Sequence, residues 1–148
     1  MVAGQHHQVT ILMVEDDEGH ARLIERNIRR AGVMNEIVHA PDGTTALDHL
    51  ADAVKMQDRA YLVLLDLNLP DMSGTAILEH MKSTVGLKRF PVIVLTTTDD
   101  EREIQRCYDL GANVYITKPV DYEAFTSGIR QLGLFLAVMQ VPTTDHAA

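Results

Sequence analysis

The sequence predicts an α/β fold: a doubly wound, mostly parallel five-stranded sheet with five helices on its two faces. Short apolar runs alternate along the chain with segments of helical spacing. Each helix can then carry the chain back across the sheet to start the next parallel strand. The second observation is the run YLVLL, Tyr61 to Leu65, which has no polar alternation and is followed by turn residues. That is how a strand buried on both faces reads.

Taken in order, VTILMV (Val9 to Val14) is the first strand. A first helix follows, marked by Ala21, Leu23, Ile24 and Ile28 and stopped by Gly32. EIVHA (Glu36 to Ala40) is the second strand, and Asp42-Gly43 opens a second helix through Ala46, Leu47, Leu50 and Val54. The third strand runs straight into Asp66, after which Pro70 and Gly74 break the chain. Ala76, Ile77, Leu78 and Met81 mark the third helix, and PVIVLT (Pro91 to Thr96) is the fourth strand. Ile104, Cys107, Tyr108 and Leu110 mark a fourth helix that ends at Gly111, ahead of the fifth strand NVYIT (Asn113 to Thr117). A fifth helix is expected from Tyr122 to Met139, with Pro142 as its stop.

A chain of 148 residues suits a single domain. The domain is placed at residues 9–142, with residues 1–8 and 143–148 expected as disordered ends. Hydrophobic residues make up 46% and charged residues 23%, a balance that fits a folded soluble domain and excludes a disordered one. No apolar run reaches the roughly 18 residues of a membrane span, and the start MVAGQHHQ lacks the apolar core of a signal peptide. A cytoplasmic protein with no membrane partner is expected. The one cysteine, Cys107, fits a reducing compartment and reads as a packed thiol. A formal charge of −8 would repel a polyanion, so no nucleic-acid partner is expected.

In a parallel sheet the carboxyl ends of the strands share one edge, and ligands of open α/β sheets bind there. Asp66 ends the third strand, Glu15 and Asp16 follow the first, Thr96 ends the fourth and Lys118 follows the fifth. Taken alone, Asp66 could be a turn cap, since Asp, Pro and Gly cluster in turns. Together, Glu15, Asp16 and Asp66 would repel one another unless something positive lies among them. A small set of hard oxygen ligands favours Mg2+ over zinc. Lys118 adds a fixed cation and Thr96 a hydroxyl, groups that could hold an anion's oxygens against Asp66.

Four motifs, ILMVEDDE, LLDLNLPDMSG, VIVLTT and ITKPV, in this order and spacing, resemble the receiver domains of bacterial two-component response regulators. The resemblance implies a flavodoxin-like receiver fold with strand order 2-1-3-4-5. It makes Asp66 the phosphoacceptor and Glu15 with Asp16 the acidic pair that places Mg2+, Asp16 directly and Glu15 through water. Asn68 would lend the metal its backbone carbonyl. Thr96 corresponds to the switch hydroxyl, Lys118 to the lysine on the phosphoryl group, and Tyr115 to the aromatic that turns inward on activation. The phosphodonor implied is a sensor histidine kinase. Such a chain is a signalling protein that catalyses its own Mg2+-dependent phosphorylation and dephosphorylation, and not a conventional enzyme.

Other readings fit less well. A haloacid-dehalogenase-type phosphatase also uses a strand-end Asp, but it needs a second acid two residues on, where this chain has Asn68. A dinucleotide-binding fold needs a glycine-rich first turn, and EDDEGH supplies carboxylates instead. A phosphorylation-independent interaction module has no need of the site residues, which are all present here.

GHARLIERNIRRAG, PDGTTALDHL, GANVYITKPV and LGLFLAVMQVP further resemble stand-alone regulators paired with phytochrome-type sensor kinases, so a bacteriophytochrome is the expected kinase. No output domain is expected after the fifth helix. Output would come from dimerisation or partner binding, with a phosphorelay shuttle as the alternative. Phe125, Ile129, Leu132, Leu136 and Met139 form one stripe of the fifth helix, suited to packing on the sheet. Leu134 and Val138 lie on the far side with Phe135 between the two faces, an apolar patch expected to join a homodimer. Alternatively, Gly128 and Gly133 let the helix stop near Leu132 and the remainder fold back over the core.

Overall fold

In the computed structural model the described residues are 9–56, 60–97 and 99–118, together with 123, 126–127 and 130–131. Five strands, β1 (Val9–Val14), β2 (Ile37–Ala40), β3 (Ala60–Asp66), β4 (Val92–Thr96) and β5 (Val114–Thr117), make one sheet. Its order is β2-β1-β3-β4-β5, and every adjacent pair is parallel. The fold class is therefore as predicted. Four helices lie between the strands: α1 (Glu18–Arg30), α2 (Gly43–Met56), α3 (Gly74–Lys82) and α4 (Glu101–Asp109). Positions 123, 126, 127, 130 and 131 are also helical, within the span predicted for the fifth helix. The proposed dimer residues Leu134, Phe135 and Val138 lie outside the described residues, as do 1–8 and 143–148.

The alternation of side chains along the inner strands divides the core into two layers. Leu12, Val14, Val63, Leu65 and Val94 point to one face, where Ala46 and Leu50 of α2, Ile77, Leu78 and Met81 of α3, and Cys107 of α4 cover them. Ile11, Met13, Leu62, Leu64, Ile93 and Leu95 point to the other, against Ala21, Ile24 and Ile28 of α1. Both faces of β1, β3 and β4 are thus buried, which is why those strands carry no polar alternation. Three residues assigned to helix stripes fall elsewhere. Leu23, Ala76 and Tyr108 are exposed, because each is next in sequence to a buried residue and so about 100° around the helix from it. Cys107 is packed as expected, and burial pushes its thiol up.

Side chains start the helices. Asp17, Ser73 and Asp100 accept from the backbone N–H groups of His20, Thr75 and Arg102 at the first turns of α1, α3 and α4. The strand-to-helix turn after β3 is unusually tight. Gly74 donates its N–H to the Leu67 carbonyl at 2.8 Å. A methyl group on Gly74 would meet the Asp66 carbonyl oxygen at 2.4 Å and the Leu67 Cα at 2.7 Å. Only glycine allows that approach, so the residue fixes how α3 leaves the end of β3. Among the described residues no helix is long and apolar enough to cross a membrane.

Candidate functional site

The register puts the carboxyl ends of the central strands side by side. Val14 is level with Leu65, Asp66 with Leu95, and Thr96 with Thr117. Glu15 follows β1 and donates its N–H to the Ala40 carbonyl of β2 at 3.0 Å, which holds it on the sheet edge. Its carboxylate is buried, as is that of Asp66, while Asp16 is exposed. Oxygens of Glu15, Asp16 and Asp66 lie within 4.8 Å of one another. The three carboxylates that the sequence marked do converge.

Lys118 sits among them. Its backbone N–H donates to the Thr96 carbonyl at 2.6 Å, which ties the exit of β5 to the end of β4. Its Nζ donates to Glu15 Oε1 at 2.6 Å and to Asp66 Oδ2 at 3.1 Å, with the side chain only 7% exposed. Asp66 Oδ1 accepts from the Asn68 N–H at 3.0 Å. Both oxygens of the candidate phosphoacceptor are therefore oriented by named donors. Thr96, at the end of β4, is fully buried, and Tyr115, level with Val94, is half-buried.

The charges respond to this packing. Burial pushes the Glu15 carboxyl up, against the lowering effect of the Lys118 and Asp17 N–H hydrogen bonds. For Lys118, burial disfavours the ammonium, but the hydrogen bonds from it to Glu15 and Asp66 and their charges outweigh burial and raise it above 10.5. Lys118 is thus a fixed cation at neutral pH. Burial, followed by the negative groups around it, lifts Tyr115 to about 12, so its hydroxyl stays protonated.

Three residues near the site were not anticipated. His20, in the first turn of α1, places Nδ1 3.3 Å from Lys118 Nζ and 3.9 Å from Glu15 Oε2. His39 of β2 places Nε2 2.6 Å from the Glu15 carbonyl oxygen. Asp71, in the turn after β3, binds the start of α2. Asp17, the third acid of EDDE, is accounted for as the α1 cap, and the His20 N–H it accepts lowers its pKa.

Three carboxylates against one ammonium leave the cluster net anionic, and its donors are all hard oxygens. The set fits a divalent cation of the Mg2+ or Mn2+ type, with Glu15, Asp16 and Asp66 as the groups to hold it.

A strand-end aspartate, a buried lysine bound to it and an acidic pair just after the neighbouring strand define a receiver. The family model for the response regulator receiver domain matches residues 11–130, and the chain belongs to that family. Its relatives include phytochrome response regulators. Response regulator Rcp1 of Synechocystis is 36% identical over 110 residues, covering 73% of this chain and 75% of that protein. The solved Mn2+-bound form of Rcp1 superposes with a TM-score of 0.69 at 31% identity, over 84% of this chain and 91% of the other. The phosphorylated cyanobacterial phytochrome response regulator RcpA gives 0.71 at 36% identity, over 86% and 94%. A receiver domain from Rhodospirillum rubrum is 63% identical, with a TM-score of 0.73 over 89% of this chain and 96% of that one.

Proposed function

We propose that this receiver takes a phosphoryl group onto Asp66 from a phosphohistidine of a sensor kinase of the phytochrome type. The observation that carries the reading is the bridge from Lys118 Nζ to Asp66 Oδ2 and Glu15 Oε1 within the acidic cluster. An Asp66 oxygen attacks phosphorus in line, an O–P bond forms as the P–N bond breaks, and the histidine leaves with its electron pair. Lys118 neutralises charge on the transferring oxygens, and positioning with electrostatics carries most of such a reaction. Mg2+, when bound by Glu15, Asp16, Asp66 and the Asn68 carbonyl, supplies further positive charge to those oxygens. Water later cleaves the acyl phosphate, returning the Asp66 carboxylate and inorganic phosphate. Thr96, which ends β4, and Tyr115, within the neighbouring β5, are the residues through which the modified site would reset the surface.

Asp16 tests the metal part of this reading, because it is the exposed carboxylate of the three. Asp16→Asn is expected to weaken Mg2+ binding by at least about tenfold, the low end of what even outer-shell losses cost. It should slow phosphorylation by a small-molecule phosphodonor while leaving thermal unfolding unchanged or slightly raised. Wild-type Mg2+ affinity and rate in the variant would remove Asp16 from the metal site.

Kinship with RcpA and Rcp1 supports the phytochrome-type kinase, and transfer kinetics from purified phytochrome kinases test it. Output by dimerisation rests on the apolar residues Leu134, Phe135 and Val138. Light scattering should show a dimer for the wild type, and a folded, phosphorylatable monomer for Leu134→Glu with Val138→Glu. A wild type monomeric at roughly tens of micromolar, phosphorylated or not, overturns this output.

A further inference from the structure

Five residues past Asp66, the turn from β3 into α3 makes a contact unrelated to its own helix. Asp71 Oδ1 accepts the Gly43 N–H at 2.8 Å, and Oδ2 accepts the Thr44 N–H at 2.9 Å and the Thr44 hydroxyl at 2.7 Å. These groups belong to the first turn of α2, whose backbone donors have no partner inside the helix. The usual capping position there is already filled, since Asp42 Oδ1 accepts the Thr45 N–H at 2.7 Å. Asp71 is thus an additional acceptor, brought to α2 from another loop. Hydrogen bonding, to the Thr44 hydroxyl first and then to the two N–H groups, holds its carboxyl down at about 2, so it is ionised wherever the protein works.

The geometry points to Asp71 as a positioning residue for the phosphoacceptor. The base of its loop is closed by the bridge between Asn68 and Ser73 and by the Gly74 N–H on the Leu67 carbonyl. Its tip is held by Asp71, with the neighbouring Met72 lying against Gly43, where a methyl group would meet the Met72 Cγ at 2.5 Å. Asn68 stands at that base, and its N–H fixes Asp66 Oδ1. Base and tip together set where that N–H lies, and through it how Asp66 presents its second oxygen to Lys118. Leu69 and Met72 also pack on the core, so the loop keeps a rough position without Asp71. What Asp71 adds is direction, because three short hydrogen bonds from one rigid helix turn define an orientation that two apolar contacts do not.

This inference rests on Asp66 being the phosphoacceptor beside an Mg2+ site, and the test separates the two. Asp71→Ala and Asp42→Ala each remove acceptors from the start of α2, but only Asp71 belongs to the Asp66 loop. Both variants should lose urea stability to a similar degree. Asp71→Ala alone should weaken Mg2+ binding and slow phosphorylation by acetyl phosphate, each by about tenfold, the lower end of what losing an outer-shell partner costs. It should also shift the Asn68 backbone amide resonance, and Asp71→Asn, which keeps an acceptor oxygen, should recover part of each loss. Asp42→Ala should stay at wild-type affinity and rate. Equal behaviour of the two alanine variants in Mg2+ affinity, rate and the Asn68 resonance overturns the inference. A wild type that takes up neither Mg2+ nor phosphate instead overturns the reading of the site.

Discussion

Asp66→Asn is expected to take up no phosphoryl group, whereas the wild type gains one when incubated with acetyl phosphate and Mg2+. Intact-mass spectrometry reads both. The substitution is close to isosteric and leaves an oxygen to accept the Asn68 N–H, while Lys118 keeps its 2.6 Å bond to Glu15. What disappears is the anionic nucleophile, since an amide oxygen does not form a stable acyl phosphate. Folding should survive, because the Asp66 charge helps to push the buried Glu15 carboxyl up and its removal relieves that repulsion. Any decrease in stability comes through Lys118, which loses one of two carboxylate partners. Peptide mapping that finds the phosphoryl group of the wild type on Asp16 or Asp17 would sink the assignment.

The residues legible in the sequence are those whose position is set by the backbone alone. A residue that ends a strand of a parallel sheet must lie at the carboxyl edge, so Glu15, Asp66, Thr96 and Lys118 could be grouped from strand boundaries without any knowledge of side-chain geometry. His20, His39 and Asp71 could not. Their contacts reach across 98, 24 and 28 positions in the chain, and each depends on how a side chain projects from a helix, an edge strand or a turn. Asp71 also lies in PDMSG, where turn chemistry already accounts for an aspartate and so hides its reach to α2. In α1 the helix face was legible at three residues of four, since Ala21, Ile24 and Ile28 are buried and Leu23 is not. A single step of 100° separates a core position from an exposed one.

Lys118→Met should show that the lysine and the divalent ion answer the same electrostatic need. In the wild type the Lys118 ammonium compensates Glu15 and Asp66, with side chains 7%, 2% and 6% exposed. Removing one partner of a buried ion pair typically costs about 3–5 kcal/mol. Glu15 limits the loss here, because its carboxyl is already pushed up and can take a proton. Without Mg2+ the variant should therefore unfold at lower urea by a few kcal/mol at neutral pH. The deficit should shrink at both ends of the pH range. As pH falls, the Glu15 carboxyl, already pushed up by burial, takes a proton and needs no cation. As pH rises, the contribution of Lys118, fully present below its unfolded value of 10.5, is lost through its raised folded value. Mg2+ should then stabilise the variant more than the wild type, since the ion no longer competes with an ammonium for the same oxygens. A site filled to 100 times its dissociation constant contributes about 2.7 kcal/mol. Phosphorylation should nonetheless slow by about 100- to 1,000-fold, the usual cost of deleting one donor to a developing oxyanion, because the transferring oxygens lose the Lys118 donor whether or not Mg2+ is bound. If Lys118→Met matches the wild type in urea without Mg2+ and gains no more from the ion, the lysine is not the internal counter-charge of this site.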